Sequence, residues 1–254
     1  MKRRYNLSHQ LSFLNQYIEK IRQLPRDRQL TKKDLLTKEF LLEKIDDMEM
    51  FFAPHNEYIN REARIVIVGI TPGWTQMKEA FEQAALSIHL GESLEQMAKS
   101  AKMAASFSGA MRTNLIAMLD QCGVACALHL ESSESLFSKE RDLLHTTSLI
   151  KYPVFSQSQN YSGYHPRIES SPLLNNYAYE VFPQEMEEMN HDILIIPLGR
   201  SVEQIVQTLI SEDKLKGFIL AGFPHPSGAN GHRKKQFQEG LDKFKRVVEN
   251  WSEK

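Results

Sequence analysis

The sequence predicts an α/β fold: a three-layer α/β/α domain around a central, mostly parallel four-stranded sheet, with an N-terminal helical extension. Three observations carry that reading. Four short β-branched or apolar runs recur along residues 64–221. Segments with helical spacing separate them, and that alternation is the signature of parallel strands with helices on both faces. Ahead of the first run, the apolar residues follow a helical period. The organisation expected is an extension over 1–60 and an α/β domain over 61–254.

Each element has its own warrant. Residues 7–24 place Leu7, Leu11, Leu14, Ile18 and Ile21 on one helical face. Thr31 to Asp34 reads as a capping box opening a second helix through Phe40, Leu41, Ile45 and Met48. Arg64-Ile65-Val66-Ile67-Val68, ending in Gly69, reads as a buried strand. Thr146–Ile150, Ile193–Pro197 and Gly217–Ala221 are the other three strands. Helices are expected over about 74–100, 108–121, 173–190, 200–211 and 232–251. The stretch 153–172, PVFSQSQNYSGYHPRIESSP, is read as a long polar, aromatic-rich loop. Such a loop is either functional or a cover for the sheet edge.

Composition bounds the function classes. The 254 residues carry 31 basic and 32 acidic side chains, for a net charge of -1, with 41% hydrophobic residues. That is a soluble globular balance, and it excludes collagen-like, disordered and disulfide-scaffold chains. No apolar run reaches the roughly 20 residues of a membrane span. The basic start MKRRYNLSHQ is followed by no continuous apolar core, so no secretory signal is expected. With two cysteines, Cys122 and Cys126, the expected setting is a reducing cytoplasm; separately, a monomer is expected. Charge is uneven: residues 1–33 hold nine Lys/Arg against Glu19 and Asp27, and Arg233, Lys234 and Lys235 open a basic tail. Such islands are either phosphate contacts or solvated helix faces.

In an open α/β sheet, ligands bind beyond the carboxyl ends of the strands. Two turns stand there: Gly69-Ile70-Thr71-Pro72-Gly73-Trp74 after the first strand, and His225-Pro226-Ser227-Gly228-Ala229-Asn230 after the fourth. Neither GxGxxG nor GxxxxGK occurs in the first, which disfavours dinucleotide and P-loop chemistry. Taken singly, a Gly-Pro turn and a turn histidine are ordinary structural features.

Together, in order and strand context, they resemble the uracil-DNA glycosylase superfamily, whose first strand ends in G-x-[DNA]-P-[YG] and a late strand in H-P-S. GITPG at 69–73 and HPSGAN at 225–230 fit those motifs. Ser106-Phe107-Ser108-Gly109-Ala110 is similar to the P-F-x-G-x-A-G segment of the thermostable-type branch. Thr147-Ser148-Leu149-Ile150-Lys151 stands at the family's T-N-x-x-K, and Ile195-Ile196-Pro197-Leu198-Gly199 at its I-x-x-L-G. The resemblance covers about 64–250, leaving out residues 1–60 and the 153–172 loop.

The resemblance implies a chemistry. A glycosylase extrudes a nucleotide and breaks its C1′–N bond, with cationic character on the sugar and negative charge on the leaving base. His225 would stabilise that charge and Thr71 would orient the water. Gly69, Ile70, Phe107 and Ser148 would form the base pocket, with Phe107 stacking on the flipped base. Pro72, Gly73, Ser227, Gly228, Asn230, Arg233 and Lys234 would meet DNA phosphates. The partner implied is DNA, with no cofactor, no metal and no membrane.

Three departures carry information. Thr71 replaces the family's Asp or Asn and brings no anionic charge. Ser148 replaces the Asn that reads uracil's edge, and a lone hydroxyl cannot supply that amide's paired donor and acceptor. Two cysteines cannot assemble a four-thiolate iron–sulfur site. The substrate expected is therefore a bulky modified cytosine, hydroxymethylated or glucosylated as in some phage DNA, and the enzyme would serve phage defence. Repair of uracil or damaged bases is the alternative, and a catalytically silent DNA-binding module is a third reading.

Overall fold

The computed structural model describes residues 13–107, 109–190, 192–228 and 230–254. Among them eight strands occur: β1 Leu41–Ile45, β2 Met48–Phe51, β3 Ile65–Gly69, β4 Leu144–Ser148, β5 Val154–Ser156, β6 Gln159–Asn160, β7 Leu194–Pro197 and β8 Phe218–Ile219. The chain gathers into two compact units. One comprises Asn60–Ile70, Phe107–Leu149 and Met186–Lys254; the other comprises Met1–Ile59, Thr71–Ser106 and Ile150–Glu185.

The first of these contains the expected parallel sheet, in the order β4-β3-β7-β8. All three pairings are parallel, with Ile65 opposite Leu144 and Leu194, and Gly69 opposite Ser148. β3 is central, and Ile65, Val66, Ile67 and Val68 are all fully buried. Ile65, Ile67, Leu194 and Ile196 join a core with Leu115 and Leu119 of the helix Gly109–Gln121 and Phe237, Phe244 and Trp251 of the helix Arg233–Ser252. The alternating Val66 and Val68 point to the opposite face, as strand geometry requires. Gly217, φ +139°, leads into β8, and a Cβ there would stand 2.9 Å from the Ile193 carbonyl oxygen. This is a close approach that only glycine permits. Strand limits differ modestly from expectation: β4 ends at Ser148, leaving Leu149 and Ile150 buried beyond it, and β8 shrinks to Phe218–Ile219.

The second unit departs further from the sequence reading. The helix expected through Phe40, Leu41, Ile45 and Met48 is instead the β1–β2 hairpin. Its apolar spacing fits a helix, but Asp46, φ 51°, turns the chain in the left-handed region. The cross-strand pair Lys44–Glu49, 2.8 Å, then closes the hairpin. The 153–172 loop contains two strands: β5 pairs with β2, and Gln157 and Ser158, both left-handed, return the chain into β6. Two consecutive left-handed residues make the primed turn that suits strand twist. The long helix expected over 74–100 is divided at Gly91 into Trp74–His89 and Leu94–Ala105, the second capped by Ser93. The segment expected as one helix over 173–190 passes through a π-turn at Tyr177–Val181.

The expected capping box exists at Thr31, whose N–H donates to the Asp34 carboxylate at 2.7 Å. Arg28 completes that site, and its hydrogen bonds hold Asp34 well below the usual carboxylate range. Leu7 and Leu11 of the first expected helix lie outside the described residues; helix is present at Ile18–Arg22. The rings of Tyr17 and Phe52 stack at 3.8 Å, Phe40 lies nearly parallel to Tyr17 beyond them, and Phe81 meets Phe40 and Phe52 edge-on. This aromatic core anchors residues 13–59 within their unit.

Candidate active site

In the parallel unit, the carboxyl edge of the sheet brings several expected residues into one row. Ser148 ends β4 directly opposite Gly69, the end of β3, and the Leu149 N–H donates to the Gly69 carbonyl at 3.0 Å. On the other side, the Leu198 N–H donates to Val68 O at 2.9 Å. Gly199 follows with φ +93°, and a Cβ there would lie 3.9 Å from the His225 side chain. The row is therefore Ser148, Gly69, Leu198–Gly199, His225. Ser148 is buried, Gly69 and Ile70 are half-buried, and Phe107 is half-buried against the unit's core.

The HPSGAN turn is internally braced. The Ser227 N–H donates to Nδ1 of His225 at 3.2 Å. A backbone N–H can only donate, so Nδ1 must carry a lone pair, and the proton of the neutral ring sits on Nε2. Burial lowers the His225 pKa, which favours that neutral form. Asn230 donates from Nδ2 to the His225 carbonyl at 3.4 Å, and its N–H donates to Ser227 O at 3.1 Å. Arg233 donates from Nη1 to Pro226 O and Ser227 O at 3.2 and 2.8 Å. Asn114 adds a third brace, to Pro226 O at 3.0 Å. Arg233 and Asn230, expected at phosphates, thus spend donors on the turn; Gly228 and Lys234 are exposed, and Ala229 lies outside the described residues. A cavity of about 260 Å³ beside the turn is lined by Asn114, Met118, Gln121, Arg233, Lys234 and Phe237.

Thr71, Pro72 and Gly73 belong to the other unit. The Thr71 hydroxyl donates to Tyr152 O at 2.8 Å and accepts from the Val154 N–H at 3.2 Å. One lone pair of its oxygen remains to accept from water. The Gly73 N–H, expected to meet phosphate, is engaged by Gln76 Oε1, and the adjacent Trp74 N–H donates to Asn160 Oδ1, both at 3.0 Å. Pro72 has no N–H and is buried. The loop residues Asn160 and Tyr161 are likewise committed, the latter donating to Pro166 O at 2.5 Å.

Sequence reasoning missed Asn114 and Tyr152, whose roles arise from long-range packing, and it read Gly199 as a strand end without its approach to His225. Glu57 is legible as an acid near a relevant segment, but its partners are not: it accepts from Tyr152 Oη at 2.6 Å and faces Lys151 Nζ at 3.8 Å in the second unit. Burial raises the Glu57 pKa, while Lys151 and Tyr152 oppose that shift. Among the described residues no three His, Cys, Asp or Glu side chains are grouped to hold a metal ion, and no helix is long and apolar enough to cross a membrane.

The fold and strand-end turns define an α/β protein with a histidine-bearing edge. No family model matches the sequence. The chain is 49% identical over 242 residues to the uncharacterized protein YoxB of Bacillus subtilis (strain 168), covering 95% of this chain and 94% of that one. It belongs to the YoxB family. The crystal structure of wild-type Pedobacter heparinus SMUG2 aligns with 95% of this chain and 99% of that one, at 14% identity and a TM-score of 0.47.

Proposed function

We propose that this protein is a monofunctional DNA glycosylase, hydrolysing the N-glycosidic bond of a flipped base to leave an abasic site. The observation that carries the reading is the Ser227–His225 hydrogen bond, which leaves a neutral imidazole with Nε2–H as its free donor at the carboxyl edge of the sheet. A fixed donor aimed at a departing base is the electrostatic element such a reaction needs. Phe107 supplies the flat surface for the extruded base. As the C1′–N bond breaks, its electron pair leaves with the base, whose developing oxyanion takes the Nε2–H hydrogen bond. Water adds to C1′ held by the remaining lone pair of Thr71, and the proton it loses reaches the base through solvent. Lys234, exposed beside the braced turn, meets the DNA backbone.

The substrate proposed is a modified cytosine carrying a hydroxymethyl or glucosyl group, so that the reaction would strike phage genomes. Ser148 supports this choice, because a hydroxyl is shorter than an amide and reads uracil poorly. A second reading, repair of uracil or a small damaged base, is favoured by a different observation. Asn160 Oδ1 of the 153–172 segment accepts from the Trp74 N–H and the Tyr161 hydroxyl donates to Pro166 O, which ties up polar groups that recognition of a large base would use. The test is a glycosylase assay over DNAs containing uracil, damaged bases, hydroxymethylcytosine and glucosylated cytosine, read as alkali-labile sites. Cleavage at the modified cytosines supports the first reading, and cleavage at uracil alone supports the second. DNA binding without base release at any of them defeats both and leaves a binding module.

A further inference from the structure

We infer that Glu57 is a positioning residue for Thr71, acting through Tyr152; this rests on the glycosylase reading. The first turn lacks the carboxylate its chemistry would use, and Thr71 has only one uncommitted lone pair with which to aim water. The direction of that lone pair is set by its two bonds, to Tyr152 O and from the Val154 N–H. Both partners belong to one short backbone stretch, so a small rotation there re-aims the hydroxyl. Tyr152 anchors the stretch from its other end, because its phenol donates to Glu57 Oε1. Glu57 is itself held by Lys151, and all three side chains are at most 7% exposed. The result is one continuous line, Lys151–Glu57–Tyr152–Thr71, inside a single compact unit.

Stability alone is a weak reason for such a group. An apolar set of similar volume often serves a core as well as a buried ion pair does, and buried charges can instead fix a unique geometry. Here the geometry fixed is that of the residue proposed to hold the water.

The experiment compares wild type, Glu57→Gln, Thr71→Ala, the double variant and Tyr152→Phe. It measures single-turnover base release and, separately, DNA affinity. Glu57→Gln keeps an acceptor for Tyr152 but removes the charge that Lys151 pairs. The expected result is a loss of about 10-fold or more in release for each single variant, with affinity within about 3-fold of wild type. The double variant should be within about 3-fold of the slower single, because both act on one element. Losses that multiply, or a Glu57→Gln rate within about 2-fold of wild type, would overturn the proposal. Amide exchange at Val154 gives a reading independent of catalysis: Glu57→Gln and Tyr152→Phe should each speed it by about 10-fold, with Ile67 unchanged. If wild type releases no base, the glycosylase reading fails, and the Val154 exchange still decides the coupling: unchanged exchange refutes it.

Discussion

The Ser227 N–H donates to Nδ1 of His225 at 3.2 Å, and one backbone hydrogen bond thereby selects the tautomer of the residue on which the proposed chemistry depends. The bond spans two residues, so the turn carries its own orienting group. Asn114, Asn230 and Arg233 hold the turn's carbonyls in place. A neutral donor suits a departing anion, because it needs no proton transfer to act.

A pH dependence follows. Burial lowers the folded pKa of His225, so the neutral ring persists below the usual histidine value of about 6.5. Protonation puts a hydrogen on Nδ1 and abolishes its bond from Ser227. Base release should therefore hold steady from pH 8 down through about 6.5 and fall only on further acidification. A single-turnover pH profile checks this; a rate that rises with acidification would assign the histidine the opposite charge state.

Stability should have an acid limb from His55. It is buried, neither ring nitrogen meets a hydrogen-bond partner, and burial, aided by Lys102, lowers its pKa well below the usual histidine range. The unfolded chain then binds more protons below about pH 6.5, so folding free energy is lost as pH falls through that window. Glu57, whose pKa is raised, contributes with the opposite sign. Urea unfolding of wild type and His55→Leu at pH 7 and 5 separates the two. The variant should lose less stability on acidification, and an equal loss would acquit His55.

The basic tail has one clear phosphate candidate. Lys235 pairs with Glu239 across a helical turn and Arg233 braces the turn, whereas Lys234 is exposed beside the cavity. Lys234→Ala should flatten the log–log salt dependence of DNA binding by about 0.9 with little effect on release once bound. An unchanged slope would make Lys234 part of a solvated face.

Gly217→Ala should destabilise the parallel unit by about 1–3 kcal/mol, the scale for a strained backbone. Its φ of +139° and the 2.9 Å approach to Ile193 O leave no room for a methyl group. An unfolding midpoint equal to wild type would show that β8 yields easily.

The parallel sheet was readable because β-branched runs that are buried on both faces look like little else, and Gly69 and Gly199 mark their ends. The β1–β2 hairpin was not, because Phe40, Leu41, Ile45 and Met48 satisfy a helical period while the turn at Asp46 lacks glycine. The 153–172 segment hid two strands for the same reason: Gln157 and Ser158 adopt left-handed conformations without the usual Asn-Gly signal. Candidate residues in the two strand-end turns were legible as motifs. Their partners were not, since Asn114–Pro226 and Glu57–Tyr152 join positions far apart in the chain.

The most direct test of the central claim is single-turnover base release by wild type and His225→Ala on the best DNA of the panel, with folding checked by circular dichroism. Loss of one preorganised donor should slow release by about 10²-fold or more while DNA is still bound. A folded His225→Ala variant that releases base at the wild-type rate would contradict the account.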